Sequence, residues 1–309
     1  MRAAIVQKTP AFLDRDQTLA IAAQAVAEAA RGGARLVVFP EAFVAGYPAW
    51  MWRLRPGTDM ALTEQLHAAL LESAVTLEAG HLTPLCEAAR EHDVTVVCGI
   101  HERDGSFSRG TLYNTVVVVG PDGQLRNRHR KLMPTNPERM VWGQGDASGL
   151  KCVDTPCGRL GALICWESYM PLARYALYAQ GVEIYVAPTY DCGERWIATM
   201  QHIAREGGCW VLGSGCVLRA GDLPSHLPGK DQLYPDPQEW VNPGDSVVVA
   251  PGGRIVAGPL RREAGLLYAD LDLHQVGAAR RTLDVAGHYA RPDLFELRVN
   301  TRAAKPVDF

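Results

Sequence analysis

Short apolar, β-branched runs alternate along this chain with helical patterns, and the places where that alternation breaks constrain the fold most. "MRAAIVQ" predicts a buried strand. It is followed over Asp16 to Ala34 by "DQTLAIAAQAVAEAARGGA", whose Ala, Leu, Ile and Val recur at helical spacing until Gly32-Gly33 end it. "RLVVFPE" predicts a second strand, punctuated by Pro40, and a helix from Leu82 to His92 leads into the strand "VTVVCGIHE". "TLYNTVVVVGPDGQLRNRHRK" has the shape of a hairpin, turning at Pro121-Asp122-Gly123.

Further along come a strand over 159–165, a helix over 171–180, the strand "EIYVAP", a helix over 194–206 and the strand "CWVLGSGCV". "DSVVVAPGGRIVAG" predicts a second hairpin turning at Gly252-Gly253, "GLLYADLDL" a last strand and 274–284 a short helix. Strand–helix alternation implies parallel neighbours, whereas hairpins impose antiparallel ones, so the sheets must be mixed. The pattern therefore predicts an α/β layered fold, and roughly ten strands suit two sheets packed face to face under helices. Residues 220–244, with five prolines and little periodicity, predict a long surface excursion and a candidate cover for a site. No repeat, linker or low-complexity tail divides the chain, which reads as a single domain over 1–309.

With hydrophobic residues at 47%, charged residues at 21% and a formal charge of −3, the chain carries no basic stripe, which argues against nucleic acid as a partner. No stretch reaches the roughly 18 apolar residues that span a bilayer, and the N-terminus turns polar too soon for a secretory signal. A cytoplasmic protein is expected. Its eight cysteines are then expected to be reduced, and the absence of C-x-x-C pairs or zinc-spaced histidines argues against a structural metal. His101-Glu102 does not extend to H-E-x-x-H because position 105 is Gly.

"LICWESYMP" brings Cys165 to the end of an apolar run and turns at once toward a helix opened by Pro171. A strand-to-helix turn exposes a side chain and aims backbone N–H groups at it, which suits a nucleophile; a small core residue ending a strand would look the same. Glu41 in "VVFPEAFVAGYP" ends a strand, where α/β sheets assemble their sites, though a solvated loop carboxylate also fits. Lys131 closes "RNRHRK" although lysine supplies only five of the 31 basic residues. A compact ammonium suits a developing negative charge.

The blocks "FPEAFVAGYP", "HRKLMPTNPER" and "LICWESYMPLARYALYAQG", in this order, resemble the nitrilase superfamily, and the likeness runs from "AAIVQ" to "DVAGHYARPDLF". The resemblance implies a four-layer αββα sandwich needing no cofactor or metal. It implies Glu41 as general base, Lys131 as electrostatic support, Cys165 as nucleophile and Glu138 as a second glutamate that holds the lysine. Trp166 after the cysteine, "HRKLMPT" and "APTYDCGERWIATMQHIAREG" resemble the nitrilase branch proper, which implies hydrolysis of a small-molecule nitrile with water, and a homodimer or a larger assembly of dimers.

Tyr47, Trp166 and Tyr190 are candidate pocket walls because each adjoins one of these blocks; core packing is the alternative. His129, two residues before Lys131, shares its strand face and is a candidate to orient that site and line the substrate's place, or a solvent-facing residue. Trp50 and Trp52 are candidates for a pocket rim or a subunit contact. The same blocks fit a cyanide hydratase or dihydratase or an aliphatic amidase, and the cysteines alone would fit a non-catalytic thiol-based binding or redox-sensing protein.

Overall fold

Most strands are apolar on both faces, and this decides the layering. In the computed structural model, which describes residues 1–307, the first half of the chain forms β1 (Arg2–Gln7), α1 (Arg15–Arg31), β2 (Ala34–Val38), α2 (Met60–Glu72), α3 (Thr83–Glu91), β3 (Thr95–Arg103), β4 (Leu112–Val119) and β5 (Leu125–Arg130). The second half begins with β6 (Val153–Thr155), β7 (Gly158–Ala162), α4 (Pro171–Tyr178), β8 (Ile184–Thr189), α5 (Glu194–Gly207), β9 (Trp210–Gly215) and β10 (Val217–Arg219). It closes with α6 (Lys230–Leu233), β11 (Trp240–Val249), β12 (Ile255–Arg261), β13 (Gly265–Asp270) and α7 (His274–Thr282).

One sheet has the order β13-β1-β2-β3-β4-β5, the other β10-β11-β9-β8-β7-β6 with β12 beside β11. β1, β2 and β3 run parallel, as do β7, β8 and β9, while the flanking strands are antiparallel. Both sheets are therefore mixed, as the interrupted alternation predicted.

Successive side chains on a strand face opposite ways. Ile5, Leu36, Val38, Val116 and Val118 of the first sheet meet Ile184, Val186, Trp210 and Leu212 of the second in one buried cluster. The other faces pack outward, Val6, Val37 and Val117 onto α1 and α3, and Tyr185, Ala187 and Val211 onto α4 and α5. The result is the helix–sheet–sheet–helix order of an αββα sandwich.

Two stretches depart from the sequence expectation. α2 was not foreseen, because only its Leu66 and Leu70 are buried and they leave a weak helical stripe. Residues 220–244 run along the surface but are anchored in the core rather than lacking structure. Leu223, Leu227, Leu233 and Tyr234 are buried with Trp50, Leu66 and Leu70, and from Trp240 the chain is already in β11. Prolines break periodicity without preventing packing. Among the described residues no helix is long and apolar enough to cross a membrane.

Candidate active site

The ends of β2, β5, β7 and β8 converge on one buried cluster. Glu41 lies just beyond β2, in a turn where Ala42 has a φ of 49°. That turn is pressed against Gly99 of β3, where a Cβ would stand 2.3 Å from the Pro40 carbonyl oxygen and 2.5 Å from the Ala42 nitrogen. Only glycine admits so close an approach. Val44 N then donates to Gly99 O at 3.1 Å and His101 N to Val44 O at 2.9 Å, fixing the segment along β3.

Lys131 follows β5 and continues its ladder, its backbone N donating to Asn114 O at 2.7 Å. Its Nζ donates to Glu41 Oε1 and to Glu138 Oε2, each at 2.7 Å. Glu138 sits in a single 3-10 turn (Asn136–Met140), where Thr135 N donates to Oε2 at 2.7 Å. Its other oxygen accepts from the Tyr47 hydroxyl at 2.7 Å. Glu41 is held at both oxygens: Asn114 Nδ2 donates to Oε1 and Tyr190 N to Oε2, both at 2.7 Å.

Cys165 opens the 3-10 turn Cys165–Tyr169 with a φ of 53°. A non-glycine residue in that region carries strain of roughly 1–3 kcal/mol, the kind that clusters at functional sites. Thr189 at the end of β8 donates its hydroxyl to Cys165 Sγ at 3.2 Å and accepts from Asp191 N at 2.8 Å.

The electrostatics follow from burial, since Glu41, Lys131, Glu138 and Cys165 are each at most 4% exposed. Burial pushes Glu41 up from the usual carboxylate range; Lys131 opposes that and Glu138 adds to it. Burial also pushes the Cys165 thiol up, with Glu41 adding to it and Lys131 opposing. For Lys131 burial disfavours the charge, but Glu41, Cys165 and Glu138 outweigh it and hold the ammonium protonated. The resting site thus combines a fixed cation, a thiol that keeps its proton and a carboxylate with raised affinity for that proton.

The structure brings Glu41, Lys131 and Glu138 into direct contact and sets Cys165 in their field. Tyr47 is buried, with its ring stacked on that of Tyr190 at 3.8 Å and 5°. Trp166 is different: it is 46% exposed and donates Nε1 to Asp191 Oδ2 at 2.8 Å, so it stands at the surface beside Cys165. Trp52 donates to the Tyr47 hydroxyl at 3.1 Å, whereas Trp50 is buried against Phe12.

Of the two sequence readings of His129, the solvent-facing one fails. The side chain is fully buried, and its Nε2 bonds to both oxygens of Glu167 at 3.1 Å. Lys131 already lies beyond the end of β5, so shared strand parity does not give the two side chains shared neighbours.

Sequence reasoning missed Asn114, Thr189, Glu167 and His101. Burial pushes His101 down to about 4, leaving the imidazole neutral. Its Nδ1 accepts from Trp142 at 3.1 Å and its Nε2 donates to Gly46 O at 2.8 Å, tying the Tyr47 loop to the Glu138 loop. All eight cysteines are free.

An αββα sandwich with a thiol, an ammonium and two carboxylates buried at its strand ends defines a class of cysteine-bearing α/β enzymes. The chain belongs to the carbon–nitrogen hydrolase family, whose model matches residues 2–281. It is 43% identical over 316 residues to Nitrilase 2 of Arabidopsis thaliana, covering 100% of this chain and 91% of that one. It is 42% identical over 314 residues to a bifunctional nitrilase/nitrile hydratase of Nicotiana tabacum, covering 100% and 88%. A carbon–nitrogen hydrolase from Helicobacter pylori G27 shares the fold with a TM-score of 0.68 at 20% identity, over 91% of this chain and 92% of the other.

Proposed function

We propose that this protein hydrolyses organic nitriles to the carboxylic acid and ammonia. The observation that carries the reading is Lys131 Nζ held at 2.7 Å from both Glu41 and Glu138, with the buried Cys165 thiol in the field of all three. Full-length relatives named nitrilases support it.

Attack on a nitrile carbon moves negative charge onto nitrogen. Cys165 gives its proton to Glu41 as the S–C bond forms, and that proton passes to the nitrogen to make a thioimidate. Lys131 and the first amides of the Cys165–Tyr169 turn stabilise the developing charge. Water, deprotonated by Glu41, adds to the carbon and gives a tetrahedral species. Departure of ammonia leaves a thioester, and a second water releases the acid and restores the thiol. Departure of the thiol from the tetrahedral species releases the amide instead, a branch that the bifunctional relative's name supports. Glu138 and Lys131, which hold that species, bias the branch; an unchanged acid-to-amide ratio and rate in Glu138→Gln would count against this role.

Tyr47 and Tyr190 wall the pocket, and Trp166 stands at its mouth. Leu172 on α4 and Leu294 and Phe295 beyond α7 are at least 61% exposed, which supports a homodimer joined through that face. A cytoplasmic setting, where thiols stay reduced, fits a chain with eight cysteines. The test is ammonia release with mass-spectrometric product identification on a panel of nitriles, the matching amides and cyanide. Acid and ammonia from a nitrile support the reading, whereas turnover of amides or cyanide alone moves the chain to a neighbouring activity of its family.

A further inference from the structure

We infer that Glu167 and His129 form a positioning pair that sets where Lys131 and Cys165 stand relative to each other. The inference rests on the nitrilase reading for the roles of those two residues. Glu167 lies two residues past the cysteine, and its carboxylate is buried between two loops. Oε1 accepts from Leu132 N at 2.7 Å and Oε2 accepts from Ile164 N at 2.6 Å. Leu132 follows Lys131 directly and Ile164 directly precedes Cys165. One rigid carboxylate therefore clamps the backbone just beyond the cation to the backbone just before the nucleophile.

His129 completes the clamp. Its Nε2 lies 3.1 Å from each Glu167 oxygen, and both side chains are fully buried. An N–H shared between the two oxygens holds the carboxylate plane against rotation, leaving each oxygen one backbone N–H to bind. A carboxylate is required here, because it alone presents two acceptors to two backbone donors. An amide at the same position would turn an NH2 group toward one of them. Loss of the clamp frees two loops that approach from different strands of different sheets, and misplacement by about 1 Å costs on the order of 100-fold in rate.

The experiment compares Glu167→Gln, His129→Gln and His129→Phe with the unmodified full-length chain, each normalised to folded protein by circular dichroism. It reads kcat and KM on the best nitrile, the acid-to-amide ratio, and the rate of Cys165 alkylation by iodoacetamide from peptide mapping. Glu167→Gln is expected to lower kcat about 100-fold while KM stays within about threefold, and to slow alkylation at least tenfold. His129→Gln, which keeps an N–H donor for the carboxylate, is expected to retain more of both rates than His129→Phe. A role confined to stability would lower the melting temperature and leave kcat and alkylation per folded molecule at the unmodified values, and that result overturns the inference. If Glu167→Gln does not fold, the two His129 variants decide by their order. If the unmodified protein turns over no nitrile, the nitrilase reading falls and the alkylation rates alone judge the clamp.

Discussion

Asn114→Ala probes the site through a residue that touches no substrate atom in the proposed reaction. Asn114 donates Nδ2 to Glu41 Oε1 at 2.7 Å, and both side chains are buried, at 1% and 0% exposure. A hydrogen bond to a charged group contributes about 1.5–3 kcal/mol, and each 1.36 kcal/mol is a factor of ten, so kcat/KM at neutral pH should fall by roughly 10- to 150-fold. Direction adds a second constraint. Donation by Asn114 favours the ionised carboxylate and opposes the upward push of burial. Removing it raises the proton affinity of Glu41 further, so less of the base form exists at a given pH, and the acid limb of the kcat/KM profile moves to higher pH. The assay is kcat/KM for nitrile hydrolysis measured across the pH range in both proteins. An unmoved acid limb would refute the assignment of Glu41 as the base, even if the rate falls.

Lys131→Met leaves two buried carboxylates without their cation, so activity should vanish and stability fall by about 3–5 kcal/mol in calorimetry. Glu41, with its folded pKa above the unfolded one, contributes stability that is full below the unfolded value and lost as pH rises through the folded one. The Lys131→Met deficit should therefore grow with pH across that window, which melting curves at several pH values would show. Thr189→Val removes the hydroxyl that donates to Cys165 Sγ, so the thiol should rise further and alkylation at a fixed pH should slow, about tenfold for a neutral hydrogen bond. Gly99→Ala would put a Cβ 2.3 Å from the Pro40 carbonyl and displace the Glu41 turn; kcat should fall at least about tenfold along with the melting temperature.

The architecture was legible where periodicity is strong. Hairpins at Pro121-Asp122-Gly123 and Gly252-Gly253 announced antiparallel pairs within otherwise alternating elements, and β4–β5 and β11–β12 are those pairs. Glu41, Lys131 and Cys165 stood out because each sits where an apolar or alternating strand ends. Their partners were less visible because they are set by long-range packing. Asn114 lies 73 residues from Glu41 in sequence, and its only local signal is an amide in the β-branched run "LYNTVVVV", where such a residue forms strand poorly. Strand parity put His129 and Lys131 on one face of the β5 strand, but could not show that their side chains reach different partners, Glu167 for the one and Glu41 with Glu138 for the other. Glu167 left no signal in the sequence, because its partner Leu132 N lies 35 residues away and only the fold brings the two together.

Trapping the covalent intermediate tests the central proposal most directly. The protein is mixed with a turned-over nitrile, quenched in acid within a turnover, digested and mapped by mass spectrometry. The peptide bearing Cys165 should carry the mass of the thioimidate or of the thioester derived from it, and Cys165→Ala should show neither adduct nor ammonia release. Nitrile turnover that persists in Cys165→Ala, or an adduct on any of the other seven cysteines with Cys165 unmodified, would contradict it.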